Sequence, residues 1–240
     1  MGTWADIAHV ASEVVAETLW PTRCALCDAP GTVLCERCAS NLPVLDWWSA
    51  CPRCGSAYGR VQCDLCNPVS LMRIGRDSLP FAGCASATVF DEDTTGKLVR
   101  VYKDQGERRL AAVLAARMAC MVAPSWGVDA VTFVPATKAA VRYRGFDHGE
   151  LLAREISALL SVPCLPMLDR PRTRDQRALS GRERIANLGG SFSASSAPAG
   201  AEGLLLVDDV FTTGATLCAA ADALIAVGAC AVYGLTFARV

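Results

Sequence analysis

"LLLVDDVFTTGATL", residues 204–217, decides the fold of this chain. Four apolar residues in a row, bounded by Gly203 and two acids, read as a short strand buried on both faces, the pattern of a parallel sheet. Asp208 and Asp209 follow at its carboxyl end, then Thr212, Thr213 and Gly214. The chain restarts at once as "ATLCAAADALIAVG", an alanine-rich helix over 215–228. In open α/β sheets ligands gather beyond the carboxyl ends of the strands, so this turn is placed like a site. Gly214 permits a tight turn. The backbone N–H groups of Thr213, Gly214, Ala215 and Thr216 open a helix N-terminus, which is a preformed cradle for an anion. Two carboxylates able to accept from sugar hydroxyls, set beside a phosphate cradle, suit a ribose 5-phosphate.

Working outward, strand patterns recur at 85–90, 129–136, 162–168 and 230–239. Helix patterns lie between them at 94–122, 148–160 and 181–188. Strands alternating with helices predict an α/β domain around a parallel sheet flanked by helices, spanning 80–240. At 240 residues with 52% hydrophobic content the chain has ample material for such a core plus a small satellite. A formal net charge of -1 excludes a uniformly basic nucleic-acid coat. Among its 23 cationic residues only Lys97, Lys103 and Lys138 are lysines, a bias toward the planar arginine fork that suits anionic ligands.

Eight of the 13 cysteines form four Cys-x-x-Cys pairs: Cys24 and Cys27, Cys35 and Cys38, Cys51 and Cys54, Cys63 and Cys66. Each two-residue spacer lets both thiolates face one metal, and two such knuckles complete a tetrahedral sulfur site. Sequential pairing gives two structural zinc ions in a cysteine-rich zinc-ribbon domain over 21–70. Interleaved ligation and an iron–sulfur cluster use the same ligands. With all four positions filled by protein, neither zinc has room for a catalytic water. Cys84, Cys120, Cys164, Cys218 and Cys230 lie singly in apolar stretches and read as small buried hydrophobes.

The first 20 residues carry apolar positions at spacings of three and four, stopped by Pro21, and predict a short amphipathic helix. Its polar face is acidic and lacks the basic region of a signal peptide. With no apolar run long enough to span a bilayer, the expected location is cytoplasmic. No dinucleotide fingerprint, nucleotide P-loop or G-x-S-x-G nucleophile elbow is present, and His9 and His148 lack the spacing of a catalytic zinc site.

The stretch from Leu204 to Thr216 resembles the phosphoribosyl pyrophosphate (PRPP) motif of type I phosphoribosyltransferases. Taken with the cysteine pairs, nearly the whole chain resembles the ComF family of competence-associated, phosphoribosyltransferase-like proteins. Shared features are Lys103 in "VYKDQGERRLA", the basic loop "VPATKAAVRYRGF", and the arginine-rich stretch "RTRDQRALSGRERIANL". The family usually continues Arg-Gly-Phe with Asn-Gln, whereas here Asp147 and His148 follow Arg144-Gly145-Phe146.

The resemblance implies PRPP or a nucleotide as ligand and magnesium bound together with PRPP. Asp208, Asp209, Lys103 and Arg144 would then act at the reacting end, while Thr212, Thr213, Gly214, Ala215, Thr216, Lys138 and Arg142 grip the ligand. It also implies partners in DNA uptake, namely single-stranded DNA or proteins of the competence machinery. Residues 170–184 carry six arginines against Asp175 and Glu183 and read as a mobile cover. Purine-salvage enzymes with this motif place a carboxylate where Thr212 stands. That difference keeps open a second reading, a non-catalytic PRPP or nucleotide sensor. The acceptor base and dimerisation are not legible.

Overall fold

The computed structural model describes residues 21–73, 75–170, 192–195 and 202–240. The expected N-terminal helix, the expected helix at 181–188 and all of the arginine-rich stretch beyond Arg170 lie outside them. Two compact units result, one ending at Leu42 and the other running from Pro43 to Val240.

The first unit holds α1 (Glu36–Ser40) and an antiparallel bridge between Arg23 and Pro30. In the second, α2 (Pro68–Arg73) precedes β1 (Gly83–Val89), followed by α3 (Thr95–Lys103), α4 (Leu110–Ala119) and β2 (Val128–Phe133). Then come α5 (Lys138–Arg144), α6 (His148–Leu160), the short antiparallel pair β3 (Leu168–Asp169) and β4 (Ser193–Ala194), β5 (Gly203–Phe211), α7 (Ala215–Ala226) and β6 (Ala231–Arg239). Among the described residues the main sheet is four-stranded, ordered β1-β6-β5-β2, and every neighbouring pair is parallel.

Alternation along β5 explains why the apolar run is continuous. Leu204 and Leu206 pack with Leu217, Ala220, Ala221 and Leu224 of α7, while Leu205 and Val207 point to the opposite face, where α6 lies against the strand. All four leucine and valine side chains of that run are buried. Helix α3 is fastened to the start of α6 by Tyr102, fully buried, whose hydroxyl donates to the His148 carbonyl at 2.6 Å.

One expected strand differs. Residues 162–168 give a single parallel bridge, Cys164 to Val131, on the outer edge of β2, with Val131 N–H donating to Pro163 and Leu165 N–H donating to Val131. Pro163 and Pro166 lack the N–H groups that a longer ladder needs. The opposite edge of the sheet is met similarly: Leu45 N–H donates to Ala87 and Val89 N–H donates to Pro43.

The expected ribbon over 21–70 falls in two places. Its second half belongs to the unit that carries the sheet, where Cys51, Cys54 and Cys66 form a small core with Leu79, and Gly55 lies so close to the Cys84 carbonyl that an added Cβ would sit 3.1 Å from it.

Tyr102→Phe removes one buried hydrogen bond and no packing volume. The expected loss is about 0.5–1.5 kcal/mol of unfolding free energy, read by urea titration, with zinc content unchanged.

Candidate functional site

Two features of the described residues carry chemistry: the cysteine clusters and the cleft at the carboxyl edge of the sheet.

The sulfurs group sequentially. Cys24, Cys27, Cys35 and Cys38 form one cluster and Cys51, Cys54, Cys63 and Cys66 the other, each with its ligand atoms within 4.8 Å of one another. Cys27 and Cys35 are 3.6 Å apart at sulfur, Cys51 and Cys66 3.5 Å, and Cys54 and Cys63 3.6 Å. A tetrahedron of sulfurs at zinc bonding distance has edges of about 3.8 Å, so both clusters fit structural zinc. Burial opposes ionisation of these thiols. Backbone N–H donors overcome it at Cys24, brought down to about 6, and at Cys63, brought down to about 7. Cys38 and Cys66 are pushed up to about 12 by burial and by their cysteine neighbours. A bound cation favours the thiolate form of all four ligands of a cluster, so metal binding would be accompanied by proton release.

The cleft encloses about 290 Å³ between the ends of β2 and β5. Its polar lining comprises Lys103, His148, Arg170, Asp208, Asp209 and Thr212, with Thr216 beside them. Asp209 is 4% exposed, and its Oδ2 receives Lys103 Nζ at 2.6 Å. His148 Nε2 lies 3.7 Å from the same oxygen. The other oxygen, Oδ1, accepts from the Val210 N–H, and Asp208 Oδ1 accepts from the Asp209 N–H, both at 2.9 Å.

The two neighbouring carboxyls therefore part company. Burial, then repulsion from Asp209, pushes Asp208 up to about 8. Burial also opposes ionisation of Asp209, but Lys103, joined by His148 where acid protonates its imidazole, outweighs it and holds that carboxyl below its ordinary range. At neutral pH the pair is one acid and one carboxylate. Burial is also the largest influence on His148 and lowers it, so its imidazole is neutral there. Arg170 stacks on Phe192 with its guanidinium 5.0 Å from the ring centre, and burial holds it below its ordinary range against the opposing attraction of Asp208 and Asp147.

The loop after β5 has the geometry expected of it. Gly214 adopts φ +75 as the residue preceding α7, and an added Cβ there would run into the Phe211 ring. Thr212 and Thr213 are exposed, and Ala215 and Thr216 begin the helix, where first-turn N–H groups have no partner within the helix.

Other expected residues lie elsewhere. Lys138 and Arg142 are exposed on α5 and are not part of the cleft lining. Arg144 donates to Asp104 at 2.9 Å, largely buried, and is likewise outside the lining.

Asp147 and His148 take defined roles in place of an amide pair. Asp147 caps α6, accepting from the Gly149 N–H at 2.9 Å and the Glu150 N–H at 3.3 Å, while its second oxygen accepts from the Ala136 N–H at 2.8 Å. Gly149 brings the helix so near that an added Cβ would lie 2.7 Å from the Val134 carbonyl. His148 is thereby set as a wall of the cleft. Its signal in the sequence was the Asp cap before a helix-periodic run.

The chain matches no protein-family model and no curated protein. No helix among the described residues is long and apolar enough to cross a membrane.

Two outcomes are expected. Elemental analysis of protein purified anaerobically gives two zinc ions per chain. The second concerns pH. A carboxyl held above its unfolded value of 3.8 is protonated in the fold while ionised in the unfolded chain, so Asp208 makes stability fall as pH rises toward about 8. Asp209, held low, acts only at the acid end. Asp208→Asn flattens the decline between about pH 4 and 8, read from denaturation midpoints across that range.

Proposed function

We propose that this chain is a ribose-phosphate-binding protein of the ComF type, with a phosphoribosyltransferase-like domain whose ligand is PRPP or a nucleotide. The observation that carries this reading is the shared cleft. Asp208 and Asp209 stand near the end of β5 beside the loop 212–216, and Lys103 reaches Asp209 from α3. The protonated Asp208 can donate to one ribose hydroxyl or accept from it, and the ionised Asp209 accepts from the other. The N–H groups opening α7 and the Thr213 and Thr216 hydroxyls take the 5-phosphate.

Magnesium is part of the proposal through PRPP. The hard oxygens of Asp208 and Asp209 fit it, their ligand atoms lying with those of His148 within 4.8 Å of one another. When bound, magnesium neutralises the pyrophosphate charge. The chain itself contributes Lys103 and Arg170 as cations at the cleft and His148 as a neutral imidazole able to accept a proton. Lys138 and Arg142, exposed on α5, have the smaller claim on the ligand.

A second reading, a PRPP or nucleotide sensor that also engages single-stranded DNA, is favoured by one observation. Thr212 stands on the rim where a carboxylate would serve an acceptor base.

Calorimetric titration with PRPP and magnesium tests the site. Asp209→Asn weakens binding by about 1.5–3 kcal/mol, the range for hydrogen bonds to charged groups, and Asp208→Asn, which replaces a protonated acid by a neutral amide, by about 0.5–1.5 kcal/mol or less, with zinc content retained in both. Gly214→Val weakens it further by crowding the loop. A double Asp→Asn variant that binds as tightly as the parent sinks the ribose-phosphate reading. PRPP consumption with a panel of bases separates enzyme from sensor. Binding to single strands that falls with log salt at a slope of about -0.7 per phosphate contacted supports the DNA arm.

A further inference from the structure

Arg239, the last residue of β6, is 5% exposed and has no carboxylate partner among the described residues. A buried guanidinium without a countercharge is costly. Its contacts show what stands in for one. One terminal nitrogen, Nη1, donates to the carbonyl of Cys54 at 2.8 Å, and the guanidinium lies 3.6 Å from the centre of the Phe211 ring. The Nε has no hydrogen-bond partner among the described residues.

Cys54 belongs to the second cysteine cluster. Four thiolates around one zinc ion leave a net charge of about -2. When loaded, that centre would place negative charge beside the buried arginine, which is hydrogen-bonded to its Cys54 backbone. The Cys54 carbonyl that Arg239 holds belongs to a knuckle turn of this cluster, so the bond depends on the cluster being assembled, as metal binding would assemble it.

Phe211 connects this to the loop. Its ring fills the space where Gly214 would carry a Cβ, and its carbonyl accepts from the Val240 N–H at 3.0 Å. A second cleft, about 290 Å³, runs past Cys54, Cys66, Phe211, Thr212, Thr213 and Arg239, so the cluster and the loop share one wall. We infer that Arg239 is a positioning residue through which metal occupancy of the Cys51, Cys54, Cys63 and Cys66 cluster holds Phe211, and with it the loop 212–216, in its anion-binding conformation. Loss of zinc from this cluster then releases the loop while the sheet stays folded. The inference rests on the proposed function only for what the loop binds.

Hydrogen exchange on the ligand-free full-length chain tests it. Zinc-loaded wild type, wild type stripped by a chelator, and zinc-loaded Arg239→Met and Arg239→Lys are compared peptide by peptide. Exchange of 211–217 is expected to be about tenfold or more faster in stripped wild type and in Arg239→Met, with 130–133 and 204–207 unchanged. Arg239→Lys, which keeps the cation over the ring, falls between. A loop as protected in zinc-loaded Arg239→Met as in wild type overturns the inference, as does a loop indifferent to stripping. If Arg239→Met unfolds the sheet, stripped wild type decides. Loss of sheet protection on stripping also overturns it, because the cluster would then hold the domain and not the loop.

A reciprocal arm adds PRPP and magnesium. Coupling must run both ways, so zinc affinity, read by competition with a chelator at equilibrium, rises several-fold in wild type and not in Arg239→Met. An unchanged zinc affinity in protein that calorimetry shows to bind PRPP overturns the coupling. Protein that does not bind PRPP fails the proposed function instead, and the ligand-free exchange still decides this inference.

Discussion

Two acids on consecutive residues near the end of a buried strand compete for the cations of one cleft. At β5 the competition is settled by position: Asp209 takes Lys103 at 2.6 Å, and Asp208 keeps its proton. The neighbouring elements serve that arrangement. Helix α3 ends at Lys103, α6 begins at His148, and Tyr102 ties the two helices together beside the cleft. The strand is buried on both faces, so the backbone that carries the acids does not yield to their repulsion. Charge is relieved by protonation and by the lysine.

The architecture was legible because its elements announce themselves in different ways. The apolar run before Asp208 has no alternation, which a half-exposed strand would need. Gly214 marks the turn, and the four cysteine pairs mark two metal clusters whose sequential grouping the sulfur distances bear out. Less was legible where composition hides geometry. "VPCLPML" is apolar and looks like a strand, yet its prolines leave one bridge to β2. The ribbon reads as one module because its four pairs share one Cys-x-x-Cys form. Spacing cannot tell that Gly55 packs on the backbone of β1, which draws the second cluster to the sheet.

Among the candidate site residues, those on β5 and its loop were the most legible, since strand end and helix start fix them locally. Lys103 also reaches the cleft. Lys138, Arg142 and Arg144 came from the resemblance in the basic loop; α5 leaves the first two exposed and pairs the third with Asp104. Charge is a property of composition, and direction is a property of the helix. Asp147 shows the converse. Read as a departure from an amide pair, it is the cap that starts α6 and tethers Ala136, a role that an acid fills well at a helix N-terminus.

Both outer strands of the main sheet are met by short segments that contain proline, Pro43–Leu45 along β1 and residues 163–165 along β2. An open parallel sheet offers two rows of unsatisfied backbone groups, and each is a template on which a strand from another molecule can grow. Here those templates are cut short by residues that cannot propagate a ladder. Fibril-like, edge-to-edge association is therefore disfavoured at both ends of the sheet, and any assembly of this domain through its sheet has to begin by peeling one of these segments away.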